Sequence, residues 1–339
     1  MVGIEEVAAD AGVSISTVSR ALNRGDQVAK STRERVEEAA ERLGYVPSGV
    51  ASSLASGRMR NIGVLMPEMD RWFRSSVLAG IASTLGKHGY DLTLYTFASS
   101  AEQRRDVFHK FLRRQRLDGV ITISMDMSPD ETQELSRLRL PAISVGGSNS
   151  RRAPLSVDDV SLARLATEHL IALNHRVIGH IGGLGDAGIN CDVPGDRQRG
   201  FSQAMEAAGL PAPASLFEPA EFTIEAGLRA AKQLLGRPGQ RPTAIFAACD
   251  EIAIGAIIAA QQLGYRIPED ISVIGIDGHE LSEIYALTTI DQFPRRQGEL
   301  AANLILEDVT ASDRSSARTE ETALPYELAV RGSTRLLHD

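Results

Sequence analysis

A chain of 339 residues with 43% apolar and 24% charged side chains is too long for one typical domain and too apolar for a disordered one, so two or three globular domains are expected. A net charge of −8 excludes a general polycation, but nucleic-acid binding depends on local charge, which leaves room for a small DNA-reading module on an acidic body. There is no run of about 18 apolar residues and no signal-like leader in "MVGIEEVAAD", so the expected location is the cytoplasm with no membrane partner. Cys191 and Cys249 form no CxxC or Cys/His cluster and the seven histidines are scattered, so neither a metal nor another cofactor is expected.

In chain order, Ile4, Val7, Ala8 and Ala11 fall on one face of a helix that Gly12 ends. A second helix follows after a tight turn. Ser14 can cap it, Val18, Ala21 and Leu22 point inward, and Ile15, Ser16, Ser19 and Arg20 stay on the open side. Alanine would be the better helix former at the hydroxyl positions, so those groups are wanted for something else. Small hydroxyls on the first exposed turn followed by an arginine suit the major groove, where serine reads base edges and arginine reads guanine. A third helix is expected to start at Ser31, with Ser31 and Glu34 as a capping box, and to run through Val36, Ala40 and Leu43 to Gly44.

The segments "IEEVAADAGVSISTVSRALN", "TRERVEEAAERLGYVPS" and "ASSLASGRMRNIGVLMP" come in an order that resembles the lactose-repressor (LacI/GalR) family. The resemblance implies a helix-turn-helix DNA-binding domain over 1–46, with Ser14, Ile15, Ser16, Thr17, Ser19, Arg20 and Asn23 as DNA contacts. It also implies a hinge over 47–60 in which Ala51 and Leu54 meet the minor groove, Leu54 as an apolar wedge. The apolar stripe Val50, Ala51, Leu54 and Ala55 is too short to hold a helix alone. Ser52 and Ala55 stand where the family often has a basic residue, which predicts weaker phosphate anchoring.

From Asn61 the pattern alternates apolar runs with amphipathic helices: "IGVLMP", "LAGIASTLGKHG", "DLTLYTF", a helix through Phe111, "GVITIS" and "PAISVG". A second such set begins near Val160 with "VIGHIGG", "AIFAAC" and "ISVIGID". The expected fold is therefore an all-α helix-turn-helix N-terminal domain followed by an α/β body of two doubly wound subdomains. The resemblance makes that body periplasmic-binding-protein-like over 61–339, with crossings near Val160, Thr289 and Thr322. The first subdomain would span about 61–159 and 290–321, the second about 160–289 and 322–339.

"GGLGDAG" spells GxGxxG after a strand, the signature of a dinucleotide-binding enzyme. Pro194 and Gly195 extend the loop before a helix, and no acid ends a strand about 20 residues on, so the enzyme reading is set aside. An exported solute-binding protein would explain the body but not residues 1–60. In open α/β sheets ligands lie beyond the carboxyl ends of strands. There stand Trp72 and Phe73, departing in part from the family's Asn-Pro-Phe-Phe; Arg197, which matches the family's effector clamp; and Phe222, Cys249 with Asp250, Asp277 and Gln292. Aromatics beside arginine and carboxylates fit a sugar, with a nucleobase or a small acid as the alternatives. The expected protein is a transcriptional repressor, a homodimer on a palindromic double-stranded operator, controlled by that small effector.

Overall fold

The computed structural model describes residues 2–23, 28–45, 58–97, 100–114, 117–146, 155–183, 192–239, 241–311 and 322–338. The chain divides into two compact units, one of residues 1–61 with 116–118, the other of 62–115 with 119–339.

The first unit packs α1 (Ile4–Ala11), α2 (Ile15–Asn23) and α3 (Lys30–Leu43) around Val7, Val18 and Val36, all fully buried, with Ala8, Ala11, Ala21, Ala39 and Ala40 filling between them. Alanine and valine let three short helices approach closely enough to share one core. Gly12 and Gly44 end α1 and α3 in the left-handed region, at φ 64° each, which glycine enters without steric cost. Ser14 accepts the Thr17 N–H at 3.2 Å and so caps α2. The expected capping box of α3 does not form: the helix starts one residue earlier, after Ala29, and Ser31 lies inside its first turn. Glu34 instead lies 3.9 Å from Lys30. In the same unit Asp118 accepts the Met59 and Arg60 N–H groups at 3.0 and 2.6 Å, and its own N–H donates to Asn61 O at 2.9 Å. These bonds hold Arg60 at a φ of 51°, a position that a non-glycine residue keeps only when its surroundings fix it.

The second unit carries two sheets. The first is ordered β11-β5-β4-β3-β1-β2, built from β1 (Asn61–Met66), β2 (Asp91–Thr96), β3 (Gly119–Ile123), β4 (Ala142–Val145), β5 (Leu155–Ser156) and β11 (Thr322–Ala323). Its helices are α4 (Trp72–Lys87), α5 (Ala101–Asp106), α6 (Leu112–Arg114, reached through a π-helical turn at Val107–Phe111), α7 (Pro129–Arg137) and α12 (Pro294–Thr310). The second sheet is ordered β12-β10-β9-β8-β6-β7, from β6 (Ile178–Gly183), β7 (Phe217–Ala220), β8 (Ala244–Ala247), β9 (Ser272–Asp277), β10 (Thr288–Asp291) and β12 (Glu327–Ala329). Around it lie α8 (Asp159–Ala172), α9 (Val193–Ala207), α10 (Ile224–Gly236) and α11 (Asp250–Gln262). Helices on the sheet faces bury inner strands on both sides, which is why β3, "GVITI", is buried at every position. The chain passes between sheets at 157–158, after β5; at 292–293, after β10; and at 324–326, between β11 and β12.

Helix pairs in both subdomains meet through glycine. A Cβ on Gly298 of α12 would stand 2.0 Å from Val77 O of α4, and one on Gly80 would stand 2.1 Å from Arg295 O. Because the obstacle is backbone, the helices must separate to admit a methyl group. Gly298→Ala is therefore expected to lower stability by about 1–3 kcal/mol. Gly86→Ala on the same α4, with nothing within 4 Å, should raise it by about 0.5–1 kcal/mol. Urea melts of the two variants check this, and a neutral Gly298→Ala would mean that α4 and α12 are not in contact at that point.

His180 sits in the second core, stacked on Phe246 at 4.8 Å and Phe201 at 4.9 Å. Its Nδ1 lies 3.2 Å from Phe246 O, so Nδ1 carries the proton and donates. Burial lowers its pKa to about 4. The unfolded chain takes up this proton first, so the stability due to neutral His180 is complete above about pH 6.5 and is lost as pH falls toward 4, by about 3 kcal/mol in all. His180→Gln should flatten the slope of unfolding free energy between those pH values, and an unchanged slope would contradict it. Asp250, raised to about 6 chiefly by burial, works in the opposite sense, so the difference between variant and wild type is the quantity to read.

Candidate functional site

Two groups of residues gather where the sequence places chemistry. In the first unit, the exposed first turn of α2 carries a hydroxyl cluster: Ser14 Oγ lies 2.9 Å from Ser16 Oγ and 2.8 Å from Thr17 Oγ1. Ile15 is exposed beside it, at 46% of its surface. Ser19 is half-buried. One turn on, exposed Arg20 donates from Nε to Ser16 O at 3.1 Å, which lays its side chain along the helix surface. Ser14, Ser16, Thr17 and Arg20 thus share the exposed side of a short helix with Ile15, an arrangement compatible with base-edge reading. Asn23 closes α2, and its side chain lies outside the described residues, as do Ala51 and Leu54.

In the second unit, Arg197 and Asp277 meet at the end of β9. Arg197, on α9, is buried; its Nε donates to Asp159 at 2.8 Å and its Nη1 to Ala248 O. Nη1 also lies 3.7 Å from Asp277, and the guanidinium stands 5.8 Å from the centre of the Phe222 ring. Asp277 ends β9 at a φ of 134° and accepts from Gln292 Nε2 at 2.7 Å. Register explains that bond: Asp277 is paired with Asp291 on β10, so the next residue begins the crossing beside it. Burial pushes the Asp277 carboxyl well above the usual range, and the neighbouring Asp250 and Glu251 add to the effect while Arg197 opposes it.

Cys249 and Asp250 lie at the same end of the sheet but face inward. Cys249 caps α11, its fully buried Sγ 3.5 Å from the Ile252 N–H, and burial pushes its thiol upward. Asp250 accepts from Thr289 Oγ1 at 2.7 Å, the His279 N–H at 2.8 Å and Ser282 Oγ at 3.0 Å. Its carboxylate holds the β9–β10 connection to α11. Phe73 packs on the core of the first subdomain, and Trp72 stacks on His279 at 4.5 Å between ring centres. An open groove of about 640 Å³ is lined by Trp72, Ala79, Gly278, Phe293, Arg295 and further residues of α4 and α12, but not by Arg197 or Asp277.

The structure thus brings Arg197, Phe222, Asp277 and Gln292 together, and sets Asp250, Cys249 and Phe73 into scaffold contacts. Three groups that sequence reasoning missed join the site: Asp159, His279 and Glu251. Asp159 could have been suspected from "VDDV", where one acid suffices to cap α8 and Asp158 is the one that does so, by accepting the Ser161 N–H. Burial lifts the Glu251 carboxyl to about 7, against the backbone N–H of Trp72 that it accepts. The loop expected around Pro194 is instead the first turn of α9, which starts at Val193, because proline lacks only an N–H that a first turn leaves unbonded anyway. The GxGxxG glycines beyond Gly183 lie outside the described residues. Among the described residues, no group of His, Cys, Asp and Glu side chains is placed to hold a metal ion, and no helix is long and apolar enough to cross a membrane.

Residues 3–48 match the model of bacterial regulatory proteins of the lacI family, and residues 167–334 match that of the periplasmic binding protein-like domain. The chain is 34% identical over 318 residues to the HTH-type transcriptional repressor PurR of Vibrio atlanticus, covering 92% of this chain and 93% of that one. Among solved structures, it resembles the lac repressor dimer bound to operator and the anti-inducer ONPF, with a TM-score of 0.83 at 28% identity, covering 98% and 99% of the two chains. It also resembles the transcriptional regulator CelR–cellobiose complex, with a TM-score of 0.70 at 28% identity, covering 98% and 100%.

Proposed function

Since the chain belongs to the lacI family of bacterial regulatory proteins, we propose that it represses transcription as a homodimer on a palindromic operator and releases or holds that operator according to a small neutral polyhydroxy effector, a sugar in preference to a nucleobase or an acid. DNA-binding repression is what the family does; the effector and the residues that hold it are the proposal. The observation that carries it is the charge balance of the cleft. Asp159 and Asp277 flank Arg197, which already donates to Asp159 and Ala248 O, and Glu251 adds a third carboxyl near Asp277. A carboxylate or phosphate would enter a region rich in acceptors and carboxyls. A polyol brings the hydroxyl donors such a region wants, with the Phe222 ring available to an apolar sugar face.

On the DNA side, the hydroxyl cluster and Arg20 are the base-reading groups, and each half of a dimer presents one such set to one half-site. The test is a footprint of the purified protein on the DNA upstream of its own gene, repeated with mono- and disaccharides, nucleosides and small carboxylic acids. The proposal expects protection of a palindrome that changes with a sugar. A response to an acid alone would refute the effector class, and absence of any protected palindrome would refute the operator.

A further inference from the structure

Trp72 and His279 belong to different subdomains. Trp72 opens α4 on the first sheet's side; His279 follows β9 on the second. Their rings lie 4.5 Å apart at an interplanar angle of 29°, and the backbone N–H of Trp72 donates to the Glu251 carboxyl in the first turn of α11. One short stretch of the first subdomain is thus joined to two separate elements of the second. His279 is itself held firmly: its N–H donates to fully buried Asp250 at 2.8 Å, and its Nδ1 accepts the Leu281 N–H at 3.0 Å, which fixes the imidazole on a rigid support. Among the described residues, no comparable bond fixes the indole. Trp72 is half-buried and borders the groove of about 640 Å³ walled by Ala79, Gly278, Phe293 and Pro294, which offers a large ring somewhere to turn.

We propose that Trp72 and His279 form a latch that holds the two subdomains of the ligand-free body together, and that opening it turns the indole into the neighbouring groove. The three crossings at 157–158, 292–293 and 324–326 are the points about which the subdomains then move. This concerns the protein without effector or DNA, so it stands or falls independently of the effector's identity.

Hydrogen–deuterium exchange and small-angle X-ray scattering on the full chain, free of both ligands, test it. His279→Asn removes the ring but keeps an acceptor for the Leu281 N–H; Trp72→Leu removes the other ring without touching that support. Each should raise the open population about fivefold, seen as faster exchange at Val157, Asp158, Gln292, Phe293, Leu324 and Tyr326 and as a larger radius of gyration. The double variant should go no further than either single one. Trp72 is also the chain's single tryptophan, so His279→Asn should red-shift the intrinsic emission and increase its quenching by acrylamide about twofold. A shift in emission with unchanged exchange at the crossings would make the stack local packing, and additive effects in the double variant would show that the rings act separately. Either result overturns the latch.

Discussion

Arg197→Ala is expected to abolish the effector response of operator binding and to destabilise the body at the same time. The guanidinium lies between Asp159 at 2.8 Å and Asp277 at 3.7 Å, with all three groups buried or nearly so. Removing it strands two carboxyls, and breaking a buried ion pair from one side costs about 3–5 kcal/mol. Asp277→Asn separates the two effects. It keeps the volume and an acceptor for Gln292, while replacing with an amide the carboxyl group that faces Arg197 and would receive effector hydroxyls. Stability should change little, but the effector concentration needed for half-maximal response should rise about twofold to tenfold, the range for a lost hydrogen bond. Operator affinity without effector should stay at the wild-type value, since the groups proposed to read bases sit on α2 of the other unit. Anisotropy of a labelled operator, titrated with the effector found by footprinting, reads all of this. A response of Asp277→Asn at wild-type concentrations would remove Asp277 from the site.

The same residues show where sequence reading reaches and where it stops. The strands were legible because inner parallel strands are continuous apolar runs with turn residues at each end, as in "GVITIS" and "ISVIGID". That Arg197, Phe222, Asp277 and Gln292 come together was foreseeable from the family resemblance and from the carboxyl side of the sheet, where such folds place ligands; their role toward an effector is the proposal. Asp250 has the same local address, yet its oxygens turn to Thr289, Ser282 and the His279 N–H, and no spacing rule distinguishes an acid aimed at solvent from one that satisfies a neighbouring loop. His279 and Glu251 escaped notice for the opposite reason. Their partner Trp72 is some two hundred residues away in the chain, so their importance exists only after folding. The start of α3 shows the limit of local signals on a smaller scale. Ser31 and Glu34 have capping-box spacing, but Lys30 already has helical geometry, and Glu34 lies within ion-pair distance of it.

Arg20→Ala is expected to cost about 1–3 kcal/mol on the cognate operator half-site, and much less on unrelated DNA. The distinction follows from what arginine does at the two kinds of contact. At a guanine edge it makes paired donor contacts that no other base offers, so its loss removes preference at one position per half-site. At a phosphate it contributes a sequence-independent charge, whose loss weakens every duplex alike and reduces the salt dependence by about one counterion. The geometry favours the first role. Arg20 lies on the exposed face of α2, one turn after Ser16, and its Nε is tied to Ser16 O at 3.1 Å. That bond extends the side chain along the same surface as Ser14, Ser16 and Thr17 rather than away toward a flanking backbone. It also restricts the side chain before binding, which reduces the conformational entropy lost on contact. Binding isotherms on cognate and scrambled duplexes, each at several salt concentrations, discriminate between the roles. Equal losses on both duplexes, with a shallower salt slope, would assign Arg20 to a phosphate; a loss confined to the cognate site with the slope unchanged assigns it to a base.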